Sequence, residues 1–403
     1  MTEILKLLNN LLQKKSDTIN DWLKEQHVDH APFFYNSVDI RYSGSKIAPV
    51  DTNIFPAGFN NLSQKAKEQA CIEISNLLKN NFPDTKKIII IAESHTRNLH
   101  YLENLKTIED FFINIGKNVK CAYFDHLNNN HILNLKTSNQ KDITIYPLQR
   151  KNDQIFVSNN FIADLIIVNN DLTKGKPEIL SQISQHVIPS TDMGWYRRKK
   201  HNHCLAYNHI ASNFAKEFNL DAFLITTELD FCDNINFNQN KGIECIAINV
   251  EKTLQRIKHK YNKFNIKTPP YIYLKANRGT YGMGIMIIHD AEEVLTLNKK
   301  NRKKMNIIKN NTLNAEILIQ EGVPTIDTYQ TAPAEPFIYM INGNPIGSIL
   351  RVNKTRNHLS NLNSNGVEFI NIDNNDQYKT KIPAYFLISK LASLATTQEE
   401  KFD

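Results

Sequence analysis

The chain has 403 residues, 41% apolar and 22% charged, with a formal net charge of +7. That length exceeds what one hydrophobic core usually supports, so two or three packed units are expected, and the balance is globular rather than disordered or fibrous. The mild positive charge suits a protein that handles phosphates or carboxylates as well as one that binds a polyanion, and does not choose between them.

The N-terminal stretch MTEILKLLNNLLQKK places Ile4, Leu7, Leu8, Leu11 and Leu12 on one helical face, while Glu3 and Lys6 interrupt the apolar run. A secretory signal is therefore not expected. No uninterrupted apolar run is long enough to span a bilayer, so no membrane partner is expected. The five cysteines, Cys71, Cys121, Cys204, Cys232 and Cys245, are scattered and form no CxxC pair. This argues against a disulfide framework or a zinc site, and a reducing cytoplasm is the simplest location.

Residues 1–85 read as an N-terminal helical and loop segment. Two helical patterns flank the polar stretch NSVDIRYSGSKIAPVDTNIFPAGFNNL, residues 36–62. It mixes Asp39, Arg41, Lys46, Asp51, Asn53, Asn60 and Asn61 with Gly and Pro turn-makers, and adds Phe55, Pro56 and Phe59. We expect a loop, either a plain surface connection or one anchored against a ligand. From Lys86 the texture changes. KKIIIIAESHTRNLHYLENLKTIEDFFINIG reads as a buried strand, a polar turn and an amphipathic helix, and VKCAYFD and ADLIIVNND repeat the strand signal. Residues 86–190 should thus hold a parallel sheet. Open α/β sheets bind ligands outside the carboxyl ends of strands, where ESHTRN stands; alternatively its Ser94 or Thr96 caps the next helix.

Residues 191–403 make a third region. It opens with MGWYRRKKHNHCLAYNHIASNFAKEF, in which Arg197, Arg198, Lys199, Lys200, His201 and His203 lie at the start of an amphipathic helix. Such a run is a solvated face or a nucleic-acid patch, but no basic-aromatic repeat or nucleic-acid module accompanies it. No carboxylate stands close enough to make His201 and His203 metal ligands. Within a subdomain expected over residues 268–325, PYIYLKA reads as a strand, NRGTYGMG as a loop and IMIIHD as a second strand. Such a glycine-rich hairpin is either a structural turn or a flap whose backbone N–H groups cradle phosphate oxygens, because glycine has no Cβ to hold them away. Lys275 would then add positive charge. The glycine order matches neither the phosphate loop, nor the dinucleotide fingerprint, nor the kinase loop. Downstream, AEILIQEGVPT is a strand ending in the polar hinge Gln320 to Val323, able to meet an adenine edge and a ribose hydroxyl. AEPFIYMINGNPIGSILRVN is a hairpin with Glu335 at one end and Arg351 at the other, and SNLNSNGVEF presents Asn361, Asn363 and Gly366.

Strand with lysine, glycine flap, hinge, hairpin with acid and arginine, then an asparagine-glycine loop is the order of ATP-grasp enzymes. The blocks YLKANRGTYGMGIM, IQEGVPT, NLNSNG, VDTNIFPAGFNNL and AESHTRN together resemble the bacterial glutamate-cysteine ligase family, from about Asp39 to Gly366. The resemblance implies an α/β fold with an ATP-grasp core and an N-terminal parallel-sheet domain. It implies an enzyme that uses ATP and Mg²⁺ to join L-glutamate to L-cysteine through a γ-glutamyl phosphate, with small-molecule partners, no nucleic acid, and room for a homo-oligomer.

By the same resemblance Lys275 contacts the α/β-phosphates, Gly279, Tyr281, Gly282 and Gly284 close over them, and Gln320, Glu321 and Val323 hold adenosine. Arg351 sits over the transferring phosphoryl and acyl oxygens, while Glu335 with Asn361 or Asn363 holds the metal, Glu368 and Asp373 standing behind. Asp39, Asp51 and Glu93 are candidates for the substrate ammonium, and Arg41, Lys46 and Arg97 for carboxylates. Asn53, Asn60, Ser94 and Asn98 accompany them, and Arg197 and Arg198 are a third anion contact. The sequence departs from the family pattern at Asn277, where aspartate is usual, at Ser360, where an acid is usual, at Ser364 and Asn365, and in lacking a late Glu-x-Asn pair. The alternative readings are another ATP-grasp carboxylate-amine ligase, such as glutathione synthetase, and a basic nucleic-acid-binding protein.

Overall fold

The computed structural model describes residues 2–26, 32–93, 97–124, 131–158, 160–278, 284–306 and 315–402. The chain opens with α1 (Glu3–Gln26), β1 (Tyr35–Tyr42), β2 (Ile47–Asn53) and α2 (Gln64–Asn81). An α/β run follows: β3 (Lys87–Ala92), α3 (Leu99–Asn114), β4 (Asn118–Tyr123), β5 (Leu133–Lys136), β6 (Asp142–Pro147), the ribbon β7 (Gln149–Lys151), β8 (Gln154–Val157) and β9 (Phe161–Ile162), then β10 (Leu165–Asn169) and β11 (His186–Ile188). Next come α4 (Lys200–Glu217), β12 (Leu229–Cys232), α5 (Ile243–Lys263), β13 (Ile272–Ala276), β14 (Ile285–Ile288), α6 (Ala291–Leu295), α7 (Lys299–Asn306) and β15 (Ile317–Glu321). The chain closes with β16 (Thr328–Tyr329), β17 (Ala332–Ile341), β18 (Asn344–Val352), β19 (Glu368–Asn371) and α8 (Ile382–Thr396).

The strands form three main sheets. The parallel sheet has the order β11-β10-β3-β4-β6-β5, with only β5 antiparallel. Its strand β3 is apolar without alternation because both faces are covered: Ile88 and Ile90 pack with α2 and α3, Ile89 and Ile91 with the β7–β9 ribbon. The expected α/β fold class with a parallel sheet is therefore seen.

The central antiparallel sheet runs β19-β18-β17-β1-β2, with β16 on β17. All ten residues of β17 are buried. Val38, Ile338 and Met340 face α1, α4 and α8, while Phe337 and Tyr339 face the core under α2 and α3. The third sheet, β12-β15-β13-β14, is antiparallel. Leu274, Ile317 and Ile319 pack on α5 through Ile246, Val250 and Leu254. The strand period of two puts Tyr273, Lys275, Leu318 and Gln320 on the opposite face, toward β2. Two antiparallel sheets facing each other across a cleft make the ATP-grasp arrangement. Among the described residues, no helix is long and apolar enough to cross a membrane.

One expectation is corrected. Residues 36–62 are not a loop through most of their length: they supply β1 and β2, in the middle and at the edge of the central sheet. Polar residues stand in these strands because each charged side chain meets an opposite charge from another element, as described below. The first eighty-odd residues and the last seventy thus build one sheet.

Gly322, just past β15, fixes how the hinge meets β13. Its N–H donates to the Tyr271 carbonyl, and a Cβ there would fall inside the Tyr271 ring. Gly322→Ala should lower stability by about 2 kcal/mol through this overpacking; an unchanged melting temperature in the absence of nucleotide would refute the packing.

Candidate active site

Four charges sit side by side on the central sheet, Arg351, Glu335 and Arg41 buried and Asp39 partly so. Arg351 on β18 stands opposite Glu335 on β17, and Asp39 on β1 opposite Phe337. Arg351 Nη1 donates to Asp39 Oδ2 and Glu335 Oε1, both at 2.7 Å. Arg41 Nε donates to the other Glu335 oxygen at 2.7 Å, and its Nη atoms reach the carbonyls of His358 and Ser360 at 3.1 and 2.6 Å. This last pair of contacts ties the asparagine loop to β1. Burial raises the Glu335 carboxyl, but Arg41 and Arg351 outweigh it and hold it below the usual range. Asp39 has one arginine against burial and the nearby Glu335, and is pushed up to about 6.

Lysines hold the neighbouring part of the cleft. Asp51 on β2 pairs with Asp39 in register and receives Lys200 Nζ at 2.6 and 2.7 Å on its two oxygens. Burial opposes ionisation of Asp51, yet Lys200 and Lys275 keep its carboxyl low. Lys275 Nζ crosses the cleft to the Val50 carbonyl at 2.7 Å; burial lowers its ammonium, Asp51 opposing. Lys200 opens α4, whose first turn is capped from another strand: the Asn277 side chain accepts from His201 N–H and its carbonyl from Lys200 N–H, each at 2.8 Å. Asn277, where an aspartate was the family expectation, is thus a helix cap joining β13 to α4.

Three cavities follow this line. One of about 190 Å³ is lined by Asp39, Asp51, Asn53, Glu93, Arg351 and Asn363 from the sequence candidates, together with Tyr101, Asn169, Asp171, Trp195 and Lys200. A second, of about 50 Å³, is lined by Lys275, Arg41, Glu335 and Asn361 and shares Asp39, Asp51 and Asn363 with the first. A third, of about 10 Å³, lies behind Lys200 against Gln320, Thr227, His203 and Cys204. Around it Thr52 Oγ1, Trp195 Nε1, His203 Nε2 and Gln320 Oε1 are buried without partners among the described residues. Lys200, Trp195, Tyr101, Asn169 and Asp171 were missed as individual residues. Lys200 was legible only as part of a basic run, and the others come from elements that meet solely in the fold.

Other candidates stand apart. Lys46 Nζ pairs with both oxygens of Glu321 at 2.7 and 2.6 Å over the Phe223 ring, and Glu321 also accepts from Glu228 N–H. Both members are buried and neither lines the three cavities. Val323 is buried, and the Gly284 carbonyl accepts from Ala276 N–H. Arg97 is exposed, and Asn98 caps α3 by accepting from the N–H groups of His100 and Tyr101. Asn60 bonds Asn61 outside the cavities, and Arg197 is exposed. Ser94, Gly279, Tyr281 and Gly282 lie outside the described residues.

The metal expectation fits poorly. Both oxygens of Glu335 are taken by arginines, Asn361 and Asn363 offer neutral amides, and among the described residues no group of three or more His, Cys, Asp or Glu side chains is arranged for a metal ion.

Arg198 is likewise committed. It forms a fork with Glu399 at 2.8 and 2.6 Å, donates to the Thr52 carbonyl, and shares Glu399 with His203 Nδ1. Glu399→Gln should cost about 3 kcal/mol by stranding a buried guanidinium, and adding Arg198→Met should recover part of it. Urea unfolding of both variants checks this; equal stability of E399Q and wild type would make Arg198 available for ligands instead.

A profile of the glutamate-cysteine ligase family matches residues 9–400. The crystal structure of a provisionally assigned gamma-glutamylcysteine synthetase from Methylobacillus flagellatus KT aligns with a TM-score of 0.91 and 32% identity, covering 99% of this chain and 97% of the other. Weaker likenesses are to D-alanyl-alanine synthetase A of Vibrio cholerae, at 11% identity, 77% and 81% coverage and a TM-score of 0.36, and to a glutathione synthetase-like effector of Globodera pallida, at 12%, 92% and 83%, and 0.40. No curated protein matches the sequence. With nearly its whole length matched, the chain belongs to the glutamate-cysteine ligase family and is an ATP-dependent ligase.

Proposed function

We propose that the two adjoining cavities are the two halves of the ligase site, and that L-glutamate and L-cysteine react where they meet. The carrying observation is that Asp39, Asp51 and Asn363 line both, with Lys275 on one side and Arg351 on the other. A carboxylate does not condense with an amine unaided, because its oxygen is a poor leaving group. ATP supplies the activation by transferring its γ-phosphoryl group to the γ-carboxylate, giving an acyl phosphate that the amine attacks. Such transfer depends on positioning and charge neutralisation, which is what this cleft supplies.

In this reading the triphosphate enters the smaller cavity, and Gly279, Tyr281, Gly282 and Gly284 supply backbone donors to its oxygens. Lys275 leaves the Val50 carbonyl to meet it. The unpartnered Gln320 oxygen, on the same sheet face as Lys275, is the acceptor offered to an adenine amino group, and the base must widen the third cavity to reach it, since that cavity now has room for about one water. Glu321, held by Lys46, positions the hinge rather than a free ribose contact. The larger cavity takes the amino acids: Asp39, Asp51, Glu93 and Asp171 provide carboxylates for ammonium groups, and Arg351 and Lys200 cations for carboxylates. Mg²⁺ would enter with the nucleotide as its counter-ion rather than at a site built by the described side chains. The N-terminal segment, the parallel-sheet region and the C-terminal region all contribute walls, so the three expected regions act as one catalytic unit in the cytoplasm.

Lys275→Ala and Arg351→Ala should each reduce turnover by about 10²- to 10³-fold. ADP release with glutamate plus cysteine measures this, with far-ultraviolet circular dichroism as the control for folding. Wild-type rates in both variants would remove the assignment. Lys200→Met should raise the KM for an amino-acid substrate more than it lowers kcat, and an unchanged KM would place Lys200 outside the substrate cavity.

A further inference from the structure

Cys232 and Cys245 stand thirteen residues apart in sequence, yet their Sγ atoms lie 2.8 Å from each other with both thiols free. Cys232 ends β12 and is buried, while Cys245 sits in the first turn of α5 and is exposed. Asn249, one turn along α5, directs its Nδ2 at both sulfurs, at 3.2 and 3.7 Å. A disulfide of about 2 Å would need only a small further approach. The remaining cysteines have no such neighbour: Cys121 is buried, and Cys71 and Cys204 are half-buried singly.

We propose that Cys232 and Cys245 form a redox-active dithiol, a modification site for small-molecule disulfides. The asymmetry in exposure sets the order of events. Cys245, reachable from solvent, attacks one sulfur of the incoming disulfide, losing its proton to water and expelling one thiolate, which gives a mixed disulfide on Cys245. Cys232 then attacks the Cys245 sulfur; the bond to the small molecule breaks, the internal disulfide forms, and the second small thiol leaves with the proton lost by Cys232. Two protein thiols are oxidised and one disulfide is reduced to two thiols, so electrons and protons balance. The Asn249 amide supports the Cys232 sulfur as it gains negative charge. Burial pushes the Cys232 thiol up to about 12, so Cys245 and not Cys232 is the thiol that meets the incoming disulfide first. The bond would fasten α5 to β12, whose partner β15 carries Gln320 at the end opposite Cys232.

The test is peptide mapping by mass spectrometry of the reduced full-length protein after incubation with glutathione disulfide and alkylation. The expected result is a Cys232 to Cys245 disulfide with Cys71, Cys121 and Cys204 alkylated. Cys232→Ser should accumulate glutathione on Cys245, and Cys245→Ser should leave Cys232 reduced. The proposal is overturned if glutathione remains on wild-type Cys245 without an internal bond, or if Cys71 or Cys204 is oxidised while Cys232 and Cys245 are both alkylated. The wild-type map decides the matter without relying on the folding of any variant.

Discussion

The contact of Arg351 with Asp39 and Glu335, extended by Arg41, sets four charges into a sheet that is covered on both faces. Removing any one would leave an uncompensated buried charge, at a cost of about 3–5 kcal/mol. Two carboxylates and two guanidiniums balance, and the donors left over from Arg41 fix the carbonyls of His358 and Ser360. A single network therefore holds β1, β17 and β18 in register and brings the asparagine loop to the mouth of the smaller cavity. A plain hydrophobic sheet could be as stable, but it would present no guanidinium to an anion.

Around this network the cleft is charged but nearly closed. Lys200 is satisfied by Asp51 and Lys275 by the Val50 carbonyl, so a phosphate must displace existing partners rather than fill an open cation. The exchange is favourable at Lys275, where a phosphate offers the ammonium a charged acceptor in place of a neutral carbonyl, whereas Lys200 already has one in Asp51. The same logic explains why Glu335 is a weak metal candidate: its lone pairs are already occupied.

Legibility in the sequence followed the range of the interaction. The parallel sheet, the flap strands and the hairpin of Glu335 and Arg351 were readable because apolar runs and turn residues encode them locally. The role of residues 36–62 was not. Asp39, Arg41 and Asp51 look like loop residues until Arg351, Glu335 and Lys200, distant in sequence, neutralise them. Lys46 and Arg198 were taken for ligand contacts on charge alone, and only the fold shows Glu321 and Glu399 waiting for them. Asn277 looked like a departure from a pattern and is a helix cap. The thiols of Cys232 and Cys245 lacked any spacing signature because a strand and a helix bring them together.

The central claim is that nucleotide binds between β13 and β2, where Lys275 now meets Val50. A crystal structure with ADP and Mg²⁺ bound tests it most directly. The account predicts phosphate oxygens within hydrogen-bond distance of Lys275 Nζ, the contact to the Val50 carbonyl broken, and adenine against Gln320. A nucleotide bound elsewhere, with Lys275 still on Val50, would contradict it.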